Sequence, residues 1–200
     1  MARMPSAERR RQLVEAAVRV MARDGVGRAT TRAICAEAGV SLSVFHYCFD
    51  SKQALLEAAI ESITGSYVAR VMSAVEPKGT LRDTVRAALG SYWEHVTAHP
   101  AEHMLTYELT QYALREDGFE HLARAQYAQY VASATTLVEQ VCAARGVVPK
   151  APVELLARLL AAVIDGLTLQ YLVLGDERAA EALLDTTADQ FVALIEGTEG

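Results

Sequence analysis

The chain has 200 residues, of which 52% are hydrophobic and 22% are charged, with few Gly or Pro. This composition excludes a disordered or fibrous chain, and a chain of this length buries enough surface to fold without disulfides or a structural metal. The net charge of −6 is unevenly distributed, because residues 1–52 hold nine Lys and Arg against five acids. We therefore expect one basic end, suited to a polyanion, on an acidic body.

Helix start and stop signals follow one another along the chain, while the alternation expected of strands is missing. The side chains expected to cap helix starts are Ser6, Thr30, Ser41, Ser51 and Thr80 with Asp83. The predicted helices span, in chain order, about 6–24, 31–38, 42–47, 52–75, 80–98, 100–115, 118–145, 153–174 and 177–195. The sequence therefore predicts an all-α fold of about nine helices, with an N-terminal three-helix domain and a C-terminal helical domain.

Residues 31–50 contain the pattern that a DNA-reading helix-turn-helix requires, which is two short helices joined by a tight turn. Gly39 supplies the positive φ that the turn needs, and Cys35 and Ala38 are small where the helices touch. The apolar anchors expected under the second helix are Val40, Val44 or Phe45, and Phe49. Its outward face is polar or aromatic, at Ser41, Ser43, His46 and Tyr47.

Two basic residues flank this segment. Arg32, in the first turn of the second helix, could reach a guanine edge or a phosphate. Lys52 begins the next helix, where its ammonium and the free N–H groups could hold a DNA phosphate. The segment therefore predicts DNA binding, and the alternative is a plain helical hairpin in an all-α core.

Residues 8–68 resemble the N-terminal DNA-binding domain of TetR-family transcriptional regulators. The resemblance rests on these features in order: RQLVEAA at 11–17, Gly25, Ala29-Thr30-Thr31, Ile34, Glu37-Ala38-Gly39-Val40-Ser41, Phe49, Ser51-Lys52 and Leu55-Leu56. In the rest of the chain the resemblance is limited to the helix count and to Ile164-Asp165-Gly166-Leu167. It implies a DNA-binding domain at 8–68 and a ligand-binding and dimerisation domain at 69–200.

The resemblance also implies roles for single residues. Thr31 and Lys52 match positions that contact phosphates, and Arg32 matches a position that often contacts bases. Leu42 and Ser43 match the front of the reading helix, where Leu42 could pack on a thymine methyl. His46 stands where the family usually has a Tyr, and the neighbouring Tyr47 could take over that aromatic contact. The function implied is a ligand-responsive regulator, most often a repressor that a small molecule releases from its operator.

The last two predicted helices are apolar enough to face both the core of the chain and a partner. The resemblance implies that they form a four-helix bundle in a homodimer, which would read two half-sites of a palindromic operator about 34 Å apart. The residues expected at the dimer interface are Leu160, Ile164, Leu167, Tyr171, Leu184 and Phe191. The alternative is burial within one subunit.

A small-molecule effector site is expected between the DNA-binding domain and the dimer bundle, because an apolar cavity with a few polar groups is the usual composition of such a site. The candidate lining is Tyr67, Tyr92, Trp93, Met104, Tyr107, Glu108, Gln111, Tyr112, Tyr127, Tyr130 and Gln170. Glu108 could pair with a cationic ligand. The alternative for this set is ordinary core packing.

Metal binding, a cofactor and catalysis are not expected. His95, His99 and His103 are spaced four apart, but Pro100 breaks their register and no acidic or Cys cluster completes a site. Glu-x-x-His pairs, a Walker A loop and Gly-x-Gly-x-x-Gly are all missing from the sequence. A helical protein that binds a partner other than DNA is the first alternative function, and an enzyme on a helical bundle is the second. Because no apolar run reaches about 18 residues, we expect a cytoplasmic protein without a membrane span.

Overall fold

The computed structural model describes the backbone of residues 5–73 and 79–197 and the side chains of residues 5–63 and 79–197. Within these residues the chain forms nine α-helices and no strand, which confirms the predicted fold class. The helices are α1 Ser6–Asp24, α2 Thr31–Glu37, α3 Leu42–Cys48, α4 Lys52–Ser73, α5 Leu81–Ala98, α6 Pro100–Arg115, α7 Glu120–Arg145, α8 Val153–Leu174 and α9 Glu177–Glu196.

Three of the predicted helix caps are confirmed. The Thr30 hydroxyl accepts a hydrogen bond from the backbone of the first turn of α2 at 3.2 Å. Ser51 does the same for α4 at 3.1 Å, and Thr80 with Asp83 forms the reciprocal capping box at the start of α5. Each side chain satisfies an N–H group that has no partner within the helix.

The predicted caps at Ser6 and Ser41 are wrong. Ser6 is already the first residue of α1, and Pro5 precedes it with φ −57° and ψ 147° and no side-chain acceptor to offer. Ser41 does take the N-cap position of α3, but its hydroxyl lies 2.8 Å from the hydroxyl of Ser43 and makes no cap bond to the backbone. The Ser41 hydroxyl thus pairs with a neighbouring side chain instead of the helix backbone.

Contacts group the chain into two compact units. The first unit comprises Met1–Gly65 and Ala101–Gln126, and the second comprises Ser66–Pro100 and Tyr127–Gly200. The division predicted from the sequence, between residues 68 and 69, concerns function and stays a prediction. The structural grouping differs from it by joining 101–126 to the N-terminal helices.

The core of the first unit is built on one apolar face of α1. That face follows the 3.6-residue period of an amphipathic helix. The side chains buried on it are Leu13, Val14, Ala16, Ala17, Val20 and Met21. Ile34 of α2, Phe45 of α3 and Leu55 of α4 are also buried in this unit. The short helices α2 and α3 therefore depend on packing, since helices of seven residues are not stable alone.

The core of the second unit joins α5, α7, α8 and α9. Its largest buried side chains include Trp93, Leu156, Leu184 and Phe191. Outside this core, Arg86 of α5 donates to Asp185 of α9 at 2.8 Å. Exposed pairs of this kind add little to stability, so apolar burial holds the unit together.

Helix α8 is long and apolar enough to cross a membrane by length and composition alone. A single such helix is weak support for a membrane span, because the core helix of a soluble protein passes the same test. Leu156, Ala157 and Leu160 of α8 are buried in the core of the second unit.

Candidate functional site

The turn between α2 and α3 closes as the sequence predicts. Gly39 has φ +64°, in the left-handed region that a side chain would disfavour. The N–H of Val40 donates to the carbonyl of Cys35 at 2.9 Å, and the N–H of Gly39 donates to the carbonyl of Ala36 at 3.1 Å. This pair of bonds is the Schellman motif, which ends α2 and sets the direction of α3.

Two aromatic anchors fix α3 to the first unit. Phe45 is 1% exposed and Phe49 is 2% exposed, and their ring centroids lie 5.8 Å apart. Of the predicted anchors, Val40 and Val44 are only half-buried. The side of α3 that carries Phe45 is therefore the inner side, and Leu42, Ser43, His46 and Tyr47 are exposed.

The outward positions of α3 are those predicted to read DNA. Tyr47 is 68% exposed and Leu42 is 38% exposed. Ser41, Ser43 and His46 are exposed as well, and the His46 ring meets the edge of the Phe45 ring at a centroid distance of 5.5 Å. The structure thus brings these five residues onto one accessible surface.

The flanking residues lie on neighbouring helices. Thr31 is half-buried and Arg32 is exposed in the first turn of α2. Lys52 is half-buried at the start of α4, and its Nζ lies 5.2 Å from the centre of the Tyr112 ring. Burial lowers the pKa of Lys52, while the nearby Glu116 carboxylate opposes that shift. Tyr112, which the sequence assigns to the ligand pocket, thus packs on a predicted DNA-contacting residue of the same unit.

An ion-pair cluster that the sequence analysis did not predict links α1 to α2. Glu37 accepts from Arg19 at 2.9 Å and from Arg23 at 3.0 Å. The hydrogen bonds from Arg19 and then Arg23 hold the pKa of Glu37 below its ordinary value. The two arginines are one helical turn apart on α1, and that spacing is the only sequence signal that could have indicated a shared partner.

We expect the contribution of Glu37 to depend on pH. A carboxylate with a lowered pKa stabilises the folded state above its unfolded pKa, and this stability is lost as the pH falls through the folded pKa. Glu37→Gln should therefore lower the thermal midpoint of unfolding at pH 7, and the gap from wild type should close in acid. Differential scanning calorimetry from acid pH to pH 7 measures the thermal midpoints of both proteins. Glu15→Gln is the control, because the pair that Glu15 forms with Arg11 at 3.7 Å lies within α1 and links no second helix. Equal gaps at pH 7 and in acid would contradict this role.

The residues predicted to line the effector site are divided between the two units. Met104, Tyr107, Glu108, Gln111 and Tyr112 lie on α6 in the first unit, where Met104, Glu108 and Gln111 are exposed. The side chain of Tyr67 is outside the described residues. The remaining members belong to the second unit and are Tyr92, Trp93, Tyr127, Tyr130 and Gln170.

Glu108 has a specific partner in the first unit. Its Oε1 accepts a hydrogen bond at 2.7 Å from the backbone N–H of Val26, in the loop between α1 and α2. A Cβ added to Gly25, which has φ +87°, would lie 3.0 Å from the same oxygen. This contact ties α6 to the loop that precedes the helix-turn-helix.

In the second unit, three tyrosines lie on or beside the part of α8 that carries Asp165 and Thr168. The Tyr127 hydroxyl donates to Asp165 Oδ2 at 2.7 Å, and the Tyr127 and Tyr130 rings meet at 5.4 Å between centroids. Tyr92 shares a hydrogen bond with Thr168 at 3.2 Å, one turn along α8. Burial raises the pKa of Tyr92 and of Tyr127, and the negative charge of Asp165 raises both further.

Asp165 was not among the predicted site residues. It belongs to the Ile164-Asp165-Gly166-Leu167 segment, which carries part of the family resemblance. The available signal was an acidic residue within an otherwise apolar helix, which is unusual unless the residue has a partner. The aromatic composition of the region was visible in the sequence, whereas the hydrogen bond from Tyr127 of α7 to Asp165 of α8 was not.

A small apolar cavity also lies in the second unit. Its volume is about 30 Å³, far below the roughly 300–1,000 Å³ of a typical small-molecule site. None of the residues predicted for the effector site lines it, and the lining residues are Val85, Ala88, Leu89, Leu137, Val138, Val141, Leu160, Phe191 and Ile195. In this conformation the cavity has no room for an effector.

The six residues predicted at a dimer interface lie in or against the core of the second unit. Leu160, Leu167, Leu184 and Phe191 are buried there, and Ile164 and Tyr171 pack against it. Helix α8 is apolar on two faces, and its sequence alone does not say which face turns inward. Their assignment to an interface stays a prediction.

A different set of α8 side chains forms an exposed stripe. The stripe repeats at alternating spacings of four and three residues, the pattern of helices that pack along their length. Its members are Leu155, Leu159, Ala162, Gly166, Leu169 and Val173. On α9, Leu183 and Leu194 are exposed at 43% and 39%. We call these eight residues the α8–α9 stripe.

The histidines do not assemble into a ligand set within the described residues. His95 and His99 stack with ring centroids 4.5 Å apart in the second unit, and His103 is buried in the first. Among the parts of the chain that the structure describes, no group of three His, Cys, Asp or Glu could hold a metal ion.

Sequence and structure comparisons identify the family. Residues 13–59 match the profile described as bacterial regulatory proteins of the tetR family. Residues 77–196 match the profile described as the C-terminal part of a BetI-type transcriptional repressor. The two profiles match separate parts of the chain, and the domain bounds of 8–68 and 69–200 stay a prediction.

Relatives that match most of the chain are also transcriptional regulators. The chain is 28% identical to the HTH-type nicotine-responsive transcriptional repressor HdnoR of Paenarthrobacter nicotinovorans, over 95% of this chain and 97% of that one. It is 27% identical to the HTH-type transcriptional regulator BetI of Escherichia coli K12, over 84% of both chains. The crystal structure of a TetR transcription regulator from Haloarcula marismortui superposes with a TM-score of 0.75 at 18% identity, over 94% of this chain and 99% of that one.

The repressor profile alone covers more than half of the chain. The helix-turn-helix that the structure builds from α2 and α3 lies within the other profile. The family is one of regulators, which bind operator DNA and small-molecule effectors, usually as dimers. The protein belongs to the TetR family of bacterial regulatory proteins and is a ligand-responsive, DNA-binding transcriptional repressor with a C-terminal domain of the BetI type.

Proposed function

We propose that the chain binds a palindromic operator as a cytoplasmic homodimer and leaves it when a small organic cation binds to the second unit. The observation that carries the DNA-binding part is the division of α3 into a buried aromatic side and an exposed polar side. The exposed tyrosine and the exposed hydroxyls of α3 can form hydrogen bonds with base edges and phosphates.

In this proposal α3 enters the major groove. Leu42, Ser43 and Tyr47 contact bases, and Ser41 and His46 contact the groove edge. Thr31 and Lys52 hold phosphates on either side, and Arg32 contacts a base or a phosphate. Lys52 is half-buried against Tyr112, which restricts the motion of its ammonium group. An ammonium held at the start of α4 is well placed to contact a phosphate beside the free N–H groups there.

Operator binding is tested with a DNA duplex selected from a random-sequence library by the purified protein. We expect Arg32→Ala, Tyr47→Ala and Lys52→Ala each to weaken binding about tenfold or more, because such contacts are worth about 1–3 kcal/mol. Fluorescence anisotropy at several salt concentrations measures the affinity. Arg178→Ala, which removes an exposed charge from α9, is the control. Wild-type affinity in all three variants would contradict the assigned DNA surface.

Dimerisation is proposed through the α8–α9 stripe. The stripe is exposed and apolar, and its two small members, Ala162 and Gly166, lie at its centre. Small residues in such a row let two helices approach closely. Burial of the stripe against a second copy would form the four-helix bundle that the family resemblance implies. One apolar face of α8 would then lie in the core of the second unit and the other in the dimer interface.

The effector is proposed to be an organic cation held at Asp165. A carboxylate supplies the opposite charge, and the rings of Tyr92, Tyr127 and Tyr130 supply faces that attract a cation. The Tyr127 hydroxyl already donates to Asp165, so a ligand ammonium would add to or replace that bond. The relative HdnoR is described as nicotine-responsive, and nicotine carries an amine that is protonated at neutral pH.

Replacing Asp165 by asparagine should lower the affinity for a cation about tenfold or more, because the charge is lost while the shape is kept. The probes are nicotine, benzyltrimethylammonium and the uncharged benzyl alcohol, measured by isothermal titration calorimetry. We expect wild type to prefer both cations to the alcohol. Glu139→Gln, an exposed acid on α7, controls for the general loss of charge. Equal cation binding by Asp165→Asn, or no preference for cations, would contradict the assigned ligand class.

The release step requires that the effector bind the released state more tightly than the DNA-bound state. Reversing the populations from 99:1 to 1:99 takes a difference of about 5.5 kcal/mol in binding free energy between the two states. The anisotropy assay with added cation measures this directly. A cation that binds the protein and leaves operator affinity unchanged would contradict release while keeping the binding site.

A further inference from the structure

We propose that Arg10 of α1 is a positioning residue for the reading helix: it holds the C-terminal end of α3 in place and contacts no DNA itself. This inference rests on the proposed operator binding by α3. It concerns a residue that neither the family matches nor the sequence motifs assign to a role.

Two contacts connect Arg10 to the end of α3. Its Nη1 donates to the carbonyl of Cys48, the last residue of that helix, at 3.0 Å. Its guanidinium carbon lies 4.2 Å from the centre of the Phe49 ring, the residue that follows. Phe49 is itself buried and tilted against Phe45. Arg10 therefore contacts both the backbone and the anchor side chain at the point where α3 ends.

The position of these contacts matters because the last carbonyls of a helix lack partners within it. They also carry the negative end of the helix dipole, which a cation stabilises. In a helix of seven residues the final turn is more than half of the structure. Without a cap, the end of α3 would fray and the exposed side chains of that turn would lose their orientation.

A second residue of α1 makes the matching contact on α2. Gln12 Nε2 donates to the carbonyl of Ala38 at 2.8 Å, at the C-cap of α2. Arg9 Nη1 donates to Gln12 Oε1 at 2.7 Å and so orients the amide. One turn of α1 thus caps the ends of both helices of the helix-turn-helix, which fixes their mutual angle from outside the motif.

Arg11 supplies a matched comparison within the same run of arginines. It lies 3.5 Å from Glu8 and 3.7 Å from Glu15, both on α1. Arg10 and Arg11 carry the same charge at adjacent positions, and both are exposed. Of the two, only Arg10 donates a hydrogen bond to α3.

The experiment compares Arg10→Ala, Arg10→Lys and Arg11→Ala in the full chain. The probes are the library-selected duplex and a random-sequence duplex of equal length. We expect Arg10→Ala to bind the selected duplex about tenfold more weakly, from the loss of a capping charge and a cation–π contact. Binding to the random duplex and the slope of affinity against salt should stay close to wild type, because no phosphate contact is removed. Arg10→Lys should restore part of the affinity.

Hydrogen exchange of the free protein provides a readout without DNA. In Arg10→Ala the amides at the end of α3 should exchange faster than in wild type, while those of α5 and α8 stay unchanged. Arg11→Ala should change neither readout. A reduced salt slope with unchanged exchange would overturn the proposal and make Arg10 a phosphate contact. Unchanged affinity and exchange in Arg10→Ala would also overturn it. If wild type selects no duplex, operator binding itself has failed, and the exchange result still decides the role of Arg10.

Discussion

Phe45→Ala is expected to destabilise the first unit by about 3–5 kcal/mol and to abolish specific DNA binding. The side chain is 1% exposed, and truncation of a buried Phe leaves a cavity in addition to the lost burial. A loss of this size is a large part of the stability of a typical domain. Because α3 has seven residues and no other fully buried side chain of its own, it would detach before the rest of the unit unfolds.

Hydrogen exchange of the amides of α1–α3 and urea unfolding followed by circular dichroism measure this effect. Tyr47→Ala is the matched control, because it removes an aromatic ring from the same helix at a 68% exposed position. It should change stability by less than about 0.5 kcal/mol while weakening operator binding. If Phe45→Ala unfolds within about 1 kcal/mol of wild type, Phe45 is not the anchor of α3.

Features fixed by local chemistry could be predicted from the sequence. Gly39 predicts the turn because few other residues accept its φ, and the Thr80–Asp83 spacing predicts a capping box because both partners lie within one turn. The same holds for the helix bounds, such as α8 at Val153–Leu174, where Pro152 and Gly175 flank the helix. Such signals need no knowledge of which helix packs against which.

The remaining features depend on that packing. Arg10 is one of three consecutive arginines in the sequence, and only the fold shows that it alone reaches Cys48. The paired partners of Glu37 lie 14 and 18 residues before it, beyond any local pattern. Helix α8 shows the same limit most clearly, because a helix that is apolar on two faces fits equally well with either face in the core.

The orientation of α8 leads to the second prediction, that Leu169→Glu converts the proposed dimer to a monomer. Leu169 belongs to the α8–α9 stripe and is 44% exposed, so a carboxylate there costs little in a monomer. In a two-fold dimer each substitution appears twice, and each buried charge without a partner costs several kcal/mol. Sedimentation equilibrium should show the dissociation constant rising by at least about a hundredfold, and operator affinity should fall because the two reading helices no longer act together.

Two comparisons separate this outcome from its alternatives. Leu114→Glu introduces the same change at a 55% exposed leucine of α6, so it should leave the dimer intact. Leu184→Ala removes a fully buried residue of the interface predicted from the sequence, so it should lower the free energy of unfolding by about 2–5 kcal/mol while the folded fraction still dimerises. If Leu184→Ala dissociates the dimer and Leu169→Glu does not, the inward face of α8 is the interface after all. That result would mean that the two chains share one core, because Leu184 and its neighbours could contact a partner only if the α8–α9 pair opened.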